Sequence, residues 1–358
     1  MEKRTIISTS QLFCMLFLVR VAISITYSGM VINSSNIADH ILSAGISFVV
    51  TFLLVIPIYK LFKIDSRCDI SDNLINTMGK FGYVLIVVYV MYYLLVSSYT
   101  VANLNNFITN TMNPPIPITT LAITLIVIAC YGAYKGIEGL ARASSIIFFI
   151  IVLSSMFIIF SLIPNLNMQN FKPFLYEGSE SMWKGTIYML SHESAIPLMA
   201  MLLPFTKGRT KYGIIFWNIG VYTLVSIGIF MMAGTMGDYL KTQLFPVYTV
   251  LSIAKVSELQ HLDSIYLGLW ITSIFIKIAL FLNVSSECVK KMFGKTIAKY
   301  SIPVFGVIVV CGSVFVGGTG VWSGLFNTNF LFWTMILTSV VIPLILIFMK
   351  LSVKKRGE

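Results

Sequence analysis

Ten stretches of this chain are apolar for long enough to cross a lipid bilayer, and that recurrence constrains the fold more than any other feature. A helix rises 1.5 Å per residue, so about 30 Å of hydrocarbon takes roughly 20 mostly apolar residues. The stretches run 8–30, 41–62, 81–108, 118–134, 143–163, 185–205, 212–237, 264–286, 301–316 and 330–349. The period-two alternation of a lipid-facing barrel strand is absent, and in lipid every backbone N–H must be bonded within its own segment, so the stretches are read as helices. Composition agrees: charged residues make up only 11% of the 358 and hydrophobic ones 57%, whereas soluble domains carry about 25% charged residues to face water. The five cysteines have no paired spacing and sit mostly inside apolar runs, reading as small hydrophobes rather than as a disulfide framework or zinc site.

Lys and Arg set the topology. Nineteen fall in alternate connections, beginning with Lys3 and Arg4, continuing through Lys60 to Lys80, Lys135 and Arg142, Lys207 to Lys211, Lys290 to Lys299, and ending with Lys350 to Arg356; the other connections hold only Lys172, Lys184, Lys241 and Lys255. The asymmetry persists through every loop, so both termini are expected in the cytoplasm. It also accounts for the net charge of +11 without a nucleic-acid partner, leaving the lipid bilayer as the expected surroundings. A signal peptide at the start is disfavoured, because Arg20 interrupts the apolar stretch and its removal would leave an odd number of spans. Of the two longest outer connections, 164–184 and 238–263, the second contains a stretch at 246–259 that can form a short helix lying on the membrane surface.

Ten spans divide as five plus five, about 8–163 and 185–349 within a single membrane domain. Because five is odd, the second set inserts with inverted topology, as in many secondary transporters. The interruptions fall accordingly. An ionisable group at membrane depth costs at least about 2.5 to 3.5 kcal/mol and needs a partner, a wet cavity or a function. Three stand out: Arg20 in span one, Glu193 in span six and Lys277 in span eight. Spans one and six open the two halves.

The run Ser191, His192, Glu193, Ser194, with Pro197 following, disfavours a continuous helix, since hydroxyls compete for backbone groups and proline cannot donate to the preceding turn. Helix ends exposed at mid-membrane carry partial charges that can hold a small polar ligand. The alternative reading is that Arg20 and Glu193 neutralise one another and lock the bundle; the two readings are compatible, since a gate can be a salt bridge that a ligand replaces. Lys277 is too deep to snorkel. It either holds a fixed charge or proton where another transporter holds a cation, or pairs with carbonyls at a helix break. His192 is read as a packing residue or a proton relay. Tyr89, Tyr92 and Tyr93 share a helix face, as a pocket wall or as core. Motifs of enzymatic chemistry are absent: no P-loop, H-E-x-x-H, Rossmann fingerprint or nucleophile elbow occurs, and His40, His192 and His261 have no metal-ligand spacing. Neither an enzymatic reaction nor a cofactor is expected.

Several stretches, in order and spacing, resemble a known family. These are Gln11-Leu12-Phe13 opening span one, Asn170-Phe171-Lys172-Pro173 with Glu177-Gly178 between spans five and six, Leu202-Leu203-Pro204-Phe205 closing span six, Phe245-Pro246 leading into Val250-Leu251, and Lys290-Lys291-Met292-Phe293-Gly294 after span eight. The chain resembles the B subunits of the nutrient germinant receptors of endospore-forming bacteria (GerAB type), within the amino acid/polyamine/organocation transporter superfamily. The resemblance implies an all-α membrane protein of the LeuT-type five-plus-five inverted repeat with spans one and six broken. It also implies a small nutrient such as an amino acid as ligand, A-type and C-type receptor subunits as partners, and the spore inner membrane as location. The ligand would sit between spans one, three, six and eight, beside Arg20, Val21, Ala22 and Ser24, Tyr89, Tyr92 and Tyr93, Ser191 to Ser194, and Lys277. Relatives commonly have a glycine in the span-one break. Here residues 18–24 contain none, and Arg20 suits a ligand carboxylate.

Overall fold

The structure, a computed structural model, describes residues 6–23, 37–111, 117–172, 179–254, 262–317 and 327–356. It is almost wholly helical. A two-residue strand β1 (Ile7–Ser8) leads into α1 (Thr9–Val21), followed by α2 (His40–Ile64), the short α3 (Ile70–Met78), α4 (Lys80–Thr111) and α5 (Ile118–Leu162). Then come α6 (Glu180–Ser191), α7 (Ala195–Leu202), strand β2 (Thr206–Lys207), α8 (Thr210–Met236), α9 (Pro246–Ile253), α10 (Leu262–Phe293) and α11 (Lys295–Gly317). The last span is α12 (Thr328–Ile336), a π-helical turn (Leu337–Val341) and α13 (Ile342–Arg356).

Among the described residues eight helices are long and apolar enough to cross a membrane. They account for the expected spans once two features are resolved. At 45 residues, α5 would be about 68 Å long if straight, twice the thickness of the hydrocarbon. Gly136, at φ 79° and ψ 177°, divides it into the expected fourth and fifth spans. A Cβ there would meet no atom within 4 Å, so the backbone conformation, not crowding, demands glycine. The first expected span is the 13-residue α1, about 20 Å long and too short to cross.

The central elements are those the membrane would least tolerate alone. The span Glu180–Phe205 has 94% of its apolar window buried, against 22% for Thr119–Asn165. α6 and α7 therefore lie inside the bundle and α5 on its rim. With α1 and the middle of α10 they form the core, where Leu16, Leu18, Ile196, Leu198, Ile278 and Phe281 are fully buried. Rim side chains such as Leu153, Phe348 and Trp333 are exposed and apolar, as lipid contact requires.

At the Lys- and Arg-rich end, Asp69 caps α3 and shares a capping box with Asp72. Lys291 of α10 bonds Asp69 and lies 2.8 Å from Asp72, while Lys350 of α13 bonds Asn73 and lies 3.4 Å from Asp65. Partial burial would raise the Asp65 carboxyl, but the Cys68 hydrogen bond and the Lys350 charge hold it below its ordinary value. Burial and the neighbouring Asp65 push the Cys68 thiol up to about 11. At the same end β1 pairs in parallel with β2, Ile7 against Thr206 and Ser8 against Lys207. The Thr9 hydroxyl donates to the Lys207 carbonyl at 3.3 Å. Gly213 allows the close fit: a Cβ there would stand 2.4 Å from Thr9 Cγ2.

The connections at the opposite end are folded onto the bundle. Asn167 and Asn170 both donate to the Gly234 carbonyl, at 2.8 and 2.9 Å. The stretch expected to lie on the membrane surface forms α9, but Val250 and Leu251 turn inward and are buried, and Phe245 packs edge-on against Phe107 at 5.0 Å. Its apolar face finds the bundle instead of lipid. The remainder of that stretch, 255–259, lies outside the described residues.

Candidate functional site

Two helices stop in the interior of the bundle, where a helix end must find partners for its free backbone groups. α1 ends at Val21 without a glycine. Its cap, Ala22, keeps right-handed angles (φ −53°, ψ −13°), so no left-handed residue is needed, and its N–H closes on Leu18 O at 2.9 Å. The Ala22 carbonyl accepts from the Trp270 indole at 3.0 Å. In span six, α6 stops at Ser191 and α7 starts at Ala195, with His192, Glu193 and Ser194 between. Pro197 falls in the first turn of α7, where its missing N–H costs nothing. The break lies where the polar run predicts it.

The two charges occupy the helix ends that suit them. Arg20 lies in the last turn of α1 and donates through a terminal guanidinium nitrogen to the Met189 carbonyl of α6 at 3.3 Å, two helix C-terminal regions where positive charge is stabilised. Glu193 lies next to Ser194, the N-cap of α7, whose N-terminus favours an anion. Arg20 Nε meets Glu193 Oε2 at 2.8 Å, both side chains being buried. The Tyr222 hydroxyl of α8 donates to the same oxygen at 3.2 Å and is itself 2.8 Å from Thr51 Oγ1. Spans one, two, six and seven thus converge on one carboxylate oxygen. The other, Glu193 Oε1, is buried with no hydrogen-bond partner, as are Lys277 Nζ, Ser194 Oγ and the Tyr92 hydroxyl. Lys277 is within electrostatic range of both Arg20 and Glu193, and Tyr92 of Glu193. The ammonium of Lys277 lies 5.9 Å from the Phe281 ring centroid.

The structure therefore brings Arg20, Glu193, Ser194, Lys277 and Tyr92 into one neighbourhood, with Val21 and Ala22 buried at the end of α1 beside it. The other expected site residues are committed to the scaffold. Tyr93 donates to the Pro197 carbonyl at 2.9 Å, and Tyr89 to the Thr338 carbonyl in the π-helical turn. The Ser191 hydroxyl donates back to Tyr188 O at 2.7 Å. His192 places Nδ1 2.8 Å from Tyr188 O and Nε2 3.3 Å from the Tyr99 hydroxyl, in a sandwich of two tyrosine rings rather than toward Glu193. Ser24 lies outside the described residues. Tyr222, Thr51 and Trp270 escaped sequence reasoning: a lone hydroxyl or indole in an apolar span carries no penalty that flags it.

Arg20 also lines, with side chains of α5, α8 and α9 and Tyr266 of α10, a largely aliphatic pocket of about 110 Å³ that is partly open at the surface of the bundle. Among the described residues, no three His, Cys, Asp or Glu side chains cluster as a metal centre would require.

Comparison with known proteins locates this arrangement. The sequence model of a family of spore permeases, described as Spore germination protein, matches residues 6–316. The chain is 25% identical over 239 residues to the spore germination protein YfkT of Bacillus subtilis (strain 168), covering 65% of this chain and 66% of that one. It is 26% identical over 295 residues to spore germination protein KB of the same organism, covering 79% of this chain and 77% of the relative. Spore germination protein XB of Bacillus anthracis is 20% identical over 217 residues. The chain thus spans just under two thirds of the first of these relatives and 58% of the third. Among solved structures, the substrate-bound outward-open state of a Na+-coupled sialic acid symporter matches with a TM-score of 0.69 at 12% identity, over 94% of this chain and 80% of that one. That likeness is one of fold: this is an all-α membrane protein of LeuT-like architecture.

Proposed function

We propose, because the chain belongs to the spore germination protein family, that it is the B-type subunit of a nutrient germinant receptor. It binds an amino acid or similar small nutrient at mid-membrane and passes a change of helix arrangement to A-type and C-type partner subunits in the spore inner membrane. The five-plus-five halves, about 8–163 and 185–349, and cytoplasmic termini are part of the same reading, supported by the Lys and Arg distribution and by breaks in the first span of each half.

One observation carries it. Two buried cations, Arg20 and Lys277, face one buried anion, Glu193, and Lys277 Nζ and Glu193 Oε1 have no hydrogen-bond partner. Buried charge is held only when paired. A zwitterionic nutrient meets both needs, its carboxylate taken by Lys277 and Arg20, its ammonium by Glu193 Oε1 with Ser194 Oγ. Because Arg20 already holds Glu193, the ligand acts by competing for that contact, which converts binding into a shift between two arrangements of the broken helices.

Binding of radiolabelled amino acids to the purified chain in lipid nanodiscs tests this. Lys277→Met and Glu193→Gln are expected to weaken binding at least tenfold while both variants still insert; unchanged affinity in both removes the pocket. The symporter-like fold favours a second reading, a proton-coupled amino acid or polyamine permease. Proteoliposomes distinguish the two: a permease concentrates substrate under a proton gradient, and a receptor subunit binds without concentrating it.

A further inference from the structure

The buried charges at the helix breaks do not sum to zero. Arg20 and Lys277 are cations and Glu193 is an anion, with 1%, 0% and 0% of their surfaces exposed. The charged side chains that act on Lys277 are Arg20 and Glu193, and those that act on Glu193 are Arg20 and Lys277. Among the described residues, the other buried carboxylates belong elsewhere: Asp69 is held by Lys291 at the Lys-rich end, and Asp39 stands at the start of α2. The site therefore carries one unit of positive charge that no carboxylate of the described chain answers, and buried charge without a counter-charge is costly. Hydrogen bonding points the same way. Lys277 Nζ and the Ser194 and Tyr92 hydroxyls, all unpartnered, can donate, whereas the unpartnered Glu193 Oε1 is restricted to accepting.

We propose that the site takes a ligand of net negative charge, and that its class is the acidic amino acids, with two carboxylates and one ammonium. The proposal rests on the reading of Arg20, Lys277 and Glu193 given above and narrows the ligand within it. A neutral zwitterion finds a partner for each of its ends but leaves the surplus positive charge in place. A second carboxylate removes it: the two carboxylates share Arg20 and Lys277, the ammonium takes Glu193 Oε1, and the charges of site and ligand cancel. Each of these contacts is a charge-assisted hydrogen bond, the stronger kind. The Tyr92 hydroxyl, within electrostatic range of Glu193, adds a neutral donor for a carboxylate oxygen. The same count excludes other classes. A basic amino acid doubles the surplus, a simple monocarboxylate leaves Glu193 Oε1 without a donor, and an amide side chain offers Lys277 an acceptor but no counter-charge. Since asparagine and glutamine nearly match aspartate and glutamate in size, what the site distinguishes between acid and amide is charge.

The test uses the full chain in lipid nanodiscs and equilibrium binding of aspartate, glutamate, asparagine, glutamine, alanine and succinate, which is aspartate without its ammonium. Aspartate or glutamate is expected to bind at least about tenfold more tightly than its amide and than alanine, because leaving one member of a buried charge pair unanswered costs at least that factor. Succinate is expected to bind at least about tenfold more weakly than aspartate. Lys277→Met removes the surplus charge, so it is expected to lower the acid-to-amide affinity ratio at least about tenfold, a change of preference that general loss of packing would not produce. If Lys277→Met does not yield a monodisperse protein, Lys277→Gln provides the same reading. Amides or alanine binding as tightly as the acids, as they would if Lys277 gave up its proton, overturns the acidic class and leaves the zwitterion reading standing. An acid-to-amide ratio unmoved by substitution of Lys277, or succinate binding as tightly as aspartate, overturns the charge assignment. Failure of every amino acid to bind overturns both.

Discussion

Glu193 gives one oxygen to two donors and the other to none, and that asymmetry governs what substitution does. Breaking a buried pair by removing one partner leaves an uncompensated charge, at a cost of about 3–5 kcal/mol. Arg20→Met and Glu193→Leu alone are therefore expected to lower the thermal unfolding midpoint strongly. The double variant, with no charge left to desolvate, is expected to recover most of the loss. Additive losses in detergent-solubilised protein would show that the two side chains do not act as a pair. At this scale the sequence was legible where the membrane exacts a penalty: Arg20, Glu193 and Lys277 announce themselves because oil does not tolerate charge. Tyr222, Thr51 and Trp270 did not, because hydroxyls and indoles pass in any apolar span. Of the residues beside Glu193, Ser191 and His192 bond the Tyr188 carbonyl near the helix end, and the Ser194 hydroxyl has no hydrogen-bond partner.

The spans themselves were legible because hydropathy has a length scale, and so was the break in span six, where four polar residues precede a proline. The end of α1 was harder to read. A helix can stop on a right-handed cap with no glycine when a partner such as Trp270 takes the freed carbonyl, and that partner lies 248 positions away in sequence. Nothing in the sequence marked the π-helical turn at 337–341, nor the inward packing of α9. Contacts between elements rest on small residues at particular crossings. Where α6 meets α2, a Cβ on Gly185 would stand 2.4 Å from His40 Nδ1 and 2.6 Å from Ser43 Oγ. The ring of His40 is buried and Ser43 is tied to Met182 O at 2.8 Å, so neither yields readily. Gly185→Ala is expected to cost about 1–3 kcal/mol by overpacking, read as a lower unfolding midpoint, whereas Gly228→Ala, where a Cβ would meet no atom within 4 Å, should be tolerated. Equal effects at the two positions would contradict the packing described.

For the molecule as a whole, the distribution of Lys and Arg supports the proposal that the Lys-rich face is cytoplasmic, and impermeant reagents can read it. In intact cells a membrane-impermeant maleimide is expected to label Lys184→Cys from outside and to reach Lys299→Cys only after permeabilisation; the reverse pattern would invert the topology. The Lys-rich face also carries an acid response. Asp65 is held below its ordinary value of 3.8, so the folded chain binds its proton less readily than the unfolded one. Its contribution is complete above about pH 4 and is lost as pH falls through the lowered folded value. Thermal midpoints from pH 6 down to 3 should fall less steeply in Asp65→Asn than in the parent, and parallel curves would show that the carboxylate has no such role.

The pairing of β1 with β2 places the start of span one and the end of span six on a common yoke. The Thr9 hydroxyl bond to the Lys207 carbonyl adds to this link between the two segments. On the function proposed above, a ligand that parted Arg20 from Glu193 would act on two half-helices that share this pivot, at the face where Lys207 stands.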